Sequence, residues 1–203
     1  MAQERVTAYI DGYNLYHGLK SKGWKRYLWL DLHKFCESLL LPNQDLTTTK
    51  YFTARISSPS GSVSRQTAYI DALDAGGCVL RYEGKFQPKP VQCRNCGHTY
   101  TAHEEKQTDE NIAVEMVRDA YDNAMDMALL ISADSDLKPP VTAVLATGRR
   151  VIVACPPARF SDVLTKSASG SIPIYRRHLA NNQMPNHVTT ATCYVLQRPS
   201  SWY

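Results

Sequence analysis

The sequence predicts a three-layer α/β sandwich in which a central, mostly parallel sheet is covered by helices on both faces. Three observations lead there. Short β-branched or apolar runs alternate with longer helical patterns as far as about position 178, the order that builds a parallel sheet. One run, Met127-Ala-Leu-Leu-Ile131, is wholly apolar, as a strand buried on both faces should be. Finally, acids follow directly on two of the runs, Asp11 on the first and Asp134 and Asp136 on the apolar one. Open α/β sheets place their ligands at the carboxyl ends of their strands.

Taken in order, Val6-Thr-Ala-Tyr-Ile10 is the first strand, and Asp11-Gly-Tyr-Asn14 follows it, with Gly12 permitting a sharp turn. Residues 24–29 mix aromatic and basic side chains. Trp24, Lys25, Arg26, Tyr27 and Trp29 could stack bases and neutralise phosphates, or Tyr27 and Trp29 could face the core with the cations solvated. Asp31 opens a helix. Residues 49–55 alternate as a second strand, residues 57–64 read as a Ser/Gly/Pro loop, and residues 65–74 form a helix stopped by Gly76-Gly77. Residues 78–82 are a third strand.

Thr108 caps the clearest helix, with Asp109 and Glu110 at its positive end. The helical period puts Asp109 on the face of Ile112, Ala113, Met116 and Ala120, at the end of a buried stripe. Glu115 and Asp119 fall on another face and are expected in solvent; Glu115 could also reach a second metal or anchor Lys106. After Met127–Ile131 comes Ser132-Ala-Asp-Ser-Asp136, then Pro139-Pro140 at a helix start. Residues 149–155 are a further strand, residues 160–166 a short helix and residues 172–175 an edge strand. The pattern gives no assignment for residues 189–203.

With 203 residues, 43% hydrophobic and 21% charged, the chain suits one domain. No apolar run approaches the roughly 18 residues of a membrane span, and no signal-peptide pattern is present at the N-terminus, so a cytoplasmic protein without membrane contact is expected. A net charge of +4 permits a polyanionic partner without requiring one. Of six cysteines, Cys36, Cys78, Cys155 and Cys193 sit singly and read mostly as small buried hydrophobes. Cys93-Arg-Asn-Cys96-Gly97 is a knuckle pattern, followed by His98 and His103. These four side chains could complete a tetrahedral structural zinc site. His98 could be replaced by a cysteine from elsewhere, and a redox C-x-x-C is the other reading.

Asp134 and Asp136 could be no more than a polar turn in which Asp136 caps the next helix. Together with Asp11 they suggest a hard cation with oxygen ligands, Mg²⁺ or Mn²⁺.

With Ile10-Asp-Gly-Tyr-Asn14, Lys106-x-x-Asp109 and Ser132-Ala-Asp-Ser-Asp136 in this order, the sequence resembles the NYN domains, relatives of the PIN-like nucleases. The resemblance covers about residues 5–178, with the zinc-knuckle insertion at 88–105 and a C-terminal extension at 179–203. Ala133 and Leu137 stand where the family often has Gly and Phe; both bear on loop shape and neither removes a carboxylate. The resemblance implies a metal-dependent ribonuclease acting on RNA, single-stranded for preference. Asp11, Asp109, Asp134 and Asp136 would be its catalytic and metal-binding acids, and Asn14 the first-motif Asn. Ser132, Lys106, Arg65 and Lys138 are the candidates for holding the phosphates. Homodimerisation is left open. Competing expectations are a catalytically inactive nucleic-acid adaptor, a phosphatase, or a small-molecule enzyme, because some bacterial NYN relatives hydroxylate pyridine-type rings. The last lacks support from a G-x-G-x-x-G fingerprint, which is absent.

Overall fold

The strand leading into Asp11 lies at the middle of the sheet. The computed structural model describes residues 3–92 and 95–203, the side chains at 86–91 and 100–106 apart. Seven strands are involved: β1 (Glu4–Asp11), β2 (Gln44–Ala54), β3 (Leu80–Gln92), β4 (Thr99–Lys106), β5 (Met127–Ile131), β6 (Arg150–Cys155) and β7 (Gly170–Pro173). Their order across the sheet is β4-β3-β2-β1-β5-β6-β7. All neighbours are parallel except β3 and β4. The helices are α1 (Gly12–Ser21), α2 (Leu32–Glu37), α3 (Ser60–Gly76), α4 (Thr108–Tyr121), α5 (Lys138–Ala146), α6 (Asp162–Ser167) and α7 (Arg176–Ala180).

Alternation along β1 divides the core in two. Val6, Ala8 and Ile10 face a layer with Leu15 and Leu19 of α1, Phe35 of α2 and Leu73 of α3. Tyr9 faces the opposite layer, with Ile112 and Met116 of α4, Val141 and Val144 of α5 and Leu164 of α6. β5 is buried along its whole length, as its unbroken apolar run requires. The predicted three-layer α/β architecture is therefore the observed one.

Three local expectations need correction. Residues 57–64 are not all loop, because α3 already begins at Ser60. The third strand does not stop at Tyr82: β3 first pairs with β2 over Leu80–Gly84 and then, from Lys85, with β4 as an antiparallel hairpin. Cys36 is buried, but Cys78 and Cys193 are exposed, so only some of the single cysteines act as core residues.

The C-terminal extension covers the α1–α3 side. Its elements are a small hairpin, β8 (His187–Thr189) with β9 (Val195–Gln197), and a short turn at Ser200–Trp202. Met184, Leu196 and Trp202 join the core beside Trp29. The Trp29 indole N–H donates to the Pro185 carbonyl at 2.8 Å, and Trp29 and Trp202 rings lie 6.3 Å apart. Among the described residues no helix is long and apolar enough to cross a membrane.

Candidate acidic site at the switch point of the sheet

From β1 the chain runs to β2 on one side, while β5, β6 and β7 extend the sheet on the other. The connections leaving β1 and β5 therefore part above their carboxyl ends, which opens a crevice. Asp11 ends β1 and caps α1. Asp134 caps the turn Ser135–Leu137 that follows β5.

Asp11 is 1% exposed. Its carboxylate accepts the Asn14 backbone N–H at 2.9 Å, the Asn14 amide at 2.5 Å and the Ser132 hydroxyl at 2.8 Å. The same hydroxyl accepts the Asp134 backbone N–H at 3.1 Å. Ser132 thus ties the two acidic connections together. Burial drives the Asp11 pKa above the ordinary carboxylate range; hydrogen bonds from Asn14 and Ser132 oppose this, and repulsion from Asp134 adds to it.

Asp134 is half-buried and accepts the Asp136 backbone N–H at 3.0 Å. The cap expected of Asp136 thus belongs to Asp134, two residues earlier, and Asp136 itself is exposed. Asp109 is half-buried in the first turn of α4, at the end of the stripe formed by Ile112, Met116 and Ala120.

Two glycines fix α1 where this site needs it. A Cβ on Gly12 would lie 2.7 Å from the Phe52 carbonyl oxygen and from the Tyr51 ring. A Cβ on Gly18 would lie 2.7 Å from the Pro157 carbonyl oxygen. The second approach presses α1 against the connection after β6, which carries Arg159. Its guanidinium donates to the Asn14 side-chain oxygen at 3.1 Å and lies 5.8 Å from the centre of the Tyr13 ring. Sequence reading missed Arg159, although it too follows a strand's carboxyl end. Beside it, burial lowers the His17 pKa, and the positive charges of Arg159 and Lys20 lower it further.

The expected phosphate-binding residues have different fates. Ser132 is fully buried and committed to the two acids, so it positions them and does not face a ligand. Arg65 bonds the Ser62 hydroxyl at 2.9 Å and lines a cavity of about 210 Å³ with Gly12, Tyr13, Tyr16, Tyr51 and Tyr69. Lys138 is exposed at the start of α5. The Lys106 side chain lies outside the described residues.

Glu115 and Asp119, expected in solvent, are 6% and 7% exposed. Both accept from Lys50 of β2, at 2.7 and 2.6 Å. Lys50 was not anticipated, since its strand is buried on the face that α4 covers.

The zinc expectation rests on Cys93 and on the His103 side chain, both outside the described residues; Cys96 and His98 are exposed. Among the described residues no group of three or more His, Cys, Asp and Glu side chains is placed to hold a metal ion. Asp11 and Asp134 nevertheless suit a hard divalent cation. They are oxygen donors, they repel each other, and three hydrogen bonds leave Asp11 one of about four lone-pair sites.

Known proteins resemble the chain in sequence or in fold. The chain is 27% identical to the 6-hydroxy-3-succinoylpyridine 3-monooxygenase HspA of Pseudomonas putida (strain DSM 28022 / S16), over 98% of its own length and 75% of that protein's. A crystal structure of a protein of unknown function from Vibrio parahaemolyticus RIMD 2210633 superposes with a TM-score of 0.59 at 19% identity, covering 86% of this chain and 95% of that one; at that identity the likeness concerns the fold alone. Residues 5–175 match the NYN domain, and the chain belongs to the NYN domain family.

Proposed function

We propose that the chain is a metal-dependent ribonuclease that hydrolyses phosphodiester bonds at the Asp11–Asp134 crevice. One observation carries this reading: two mutually repelling carboxylates are held by one buried hydroxyl at the switch point of the sheet. Asp11 and Asp134 would hold Mg²⁺ or Mn²⁺; Asp109 and Asp136 do not gather with them into a group of three or more carboxylates and would act through water bound to the cation. The cation would supply Lewis acidity toward the phosphate and the attacking water. Asn14 and Ser132 fix the orientation of the Asp11 carboxylate. Arg159, held by Asn14 through one N–H, has further donors for a phosphate oxygen. Lys138, exposed at the start of α5, would be a further contact to the RNA backbone.

The test is cleavage of single-stranded RNA in Mn²⁺ and in Mg²⁺ by wild type, Asp11→Asn and Asp134→Asn. Activity is expected only in the wild type and only with a cation. Equal cleavage by all three proteins would overturn the reading.

A second reading is favoured by the cavity beside Gly12. Four tyrosines and Arg65 line it, which suits a planar aromatic ring bearing an anionic group, and the Pseudomonas putida relative is named for action on such a molecule. Saturable thermal stabilisation by a pyridine carboxylate, lost in Arg65→Met, together with no RNA cleavage, would select hydroxylation of a small aromatic acid instead.

A further inference from the structure

Charge is distributed unevenly along the chain. Residues 12–30 contain four Lys or Arg and no Asp or Glu, and the same is true of residues 163–203. The two segments therefore carry +8 together, so the rest of the chain carries −4 against the total of +4.

The fold brings them to one face. The Asp31 N–H donates to the Asn182 carbonyl at 2.8 Å. Arg176 donates to the Tyr27 hydroxyl at 2.6 Å, and Arg198 donates to the Arg26 carbonyl. Among the described residues, none of Lys20, Lys22, Lys25 and Arg26 has a carboxylate partner, nor has Arg176, Arg177 or Arg198. Elsewhere the arginines at 5, 55, 81, 118, 149 and 150 are all paired.

These unpaired cations are interleaved with rings. Lys20 lies 5.7 Å from Tyr16, Lys22 lies 5.9 Å from Trp24, and Arg177 lies 4.8 Å from Tyr175. Tyr16, Tyr175 and Tyr203 are exposed. The face also reaches the acidic crevice. Arg159 bonds Asn14 and covers Tyr13; the Tyr13 and His17 rings touch in a tilted arrangement, their centres 4.2 Å apart, and His17 lies within the field of Lys20.

We propose that this cation-rich face, built jointly by α1, the 22–27 turn, α7 and the C-terminal extension, is the seat of single-stranded RNA and leads it to Asp11. Unpaired cations neutralise phosphates and exposed rings stack bases, the combination that binds single strands without reading sequence. The choice of RNA among polyanions rests on the ribonuclease reading. The extension is then part of the binding surface and not merely a cover for the core.

The test measures affinity for oligouridylate against salt concentration in EDTA, where no metal-dependent cleavage occurs. The triple variant Lys22→Gln/Lys25→Gln/Arg177→Gln is expected to bind at least about tenfold more weakly, with the salt slope reduced by about 2, since each single-strand phosphate contact contributes about 0.7. A control triple, Lys34→Gln/Lys85→Gln/Arg150→Gln, removes the same charge outside both segments and is expected to bind as wild type does. Equal loss in both triples, or none in the first, overturns the proposal. Binding that depends on this face in a protein that cuts no RNA in Mn²⁺ would sink the ribonuclease reading and leave the surface standing.

Discussion

Replacing Lys50, a buried charge, by Met should cost the fold more than replacing an exposed or half-exposed charge does. Lys50 is 5% exposed and holds Glu115 at 2.7 Å and Asp119 at 2.6 Å, between the rings of Tyr9 and Tyr82. Met retains most of the aliphatic stem, so the loss is chiefly one of charge. Glu115 would retain Arg118, whereas Asp119 would keep only the Tyr9 hydroxyl at 2.5 Å. Burial and Asp119 raise the pKa of that hydroxyl, so it stays a neutral donor. One buried carboxylate is thus left without a counter-charge, at a cost of about 3–5 kcal/mol. At about 2–4 °C per kcal/mol for a chain of this size, the melting temperature should fall by about 6–20 °C. Adding Asp119→Asn removes the stranded charge, and the double variant should recover more than half of the loss. The pH dependence has a definite sign. Burial would raise the Glu115 pKa, but Lys50, Tyr82 and Arg118 outweigh it and the pKa is lowered. Its contribution is present above the unfolded value and lost as pH falls through the lowered folded value, a loss that should be smaller in Lys50→Met. Urea unfolding of the four proteins of this double-mutant cycle measures the coupling. A loss below about 1 kcal/mol in Lys50→Met, or simple additivity with Asp119→Asn, would refute the argument.

Asp134→Asn keeps the acceptor for the Asp136 N–H but removes the charge that repels Asp11, so it should raise stability near neutral pH. Because the folded pKa of Asp11 is raised, ionising it penalises the wild type as pH rises through that value; the advantage of the variant should vanish below the unfolded pKa, as unfolding curves at several pH values would show. Gly12→Ala forces a methyl onto the Phe52 carbonyl and the Tyr51 ring and should destabilise by about 1–3 kcal/mol, with loss of catalysis beyond the unfolded fraction as Asn14 moves off Asp11; unchanged activity per folded molecule would argue against a rigid Asn14. Arg159→Gln should raise the His17 pKa toward its ordinary value, read from its ring proton shifts in an NMR titration, because one of the two positive charges lowering it is gone.

Much of this architecture was legible because strands of a parallel sheet announce themselves. Met127–Ile131 has no polar position, so it had to be buried on both faces, and acids placed at its end and at the end of the first strand had to share a rim. The two acidic connections do meet there, through Ser132. What was missed involved side chains whose environment is created only by packing across the sheet. Lys50 looks like an ordinary polar position of an alternating strand until α4 lies over it, and Glu115 and Asp119 look solvated until Lys50 is opposite them. Arg159 follows two prolines in an irregular connection, where no period points to a partner. The apolar positions after 189 follow no regular period, and only Leu196 and Trp202 among them are buried; Trp202 packs near Trp29 and Tyr69.

The hairpin of β3 and β4 is more than an appendage to the sheet edge. Its second arm ends at Lys106, α4 begins at Thr108, and the single residue between them, Gln107, has a left-handed backbone with φ of 74°. Asp109 is therefore only three residues from the end of that arm. A tug or tilt on the arm has one joint through which to pass before it turns the first coil of α4. In this chain the outermost strand pair and the helix that packs against Lys50 are geared together.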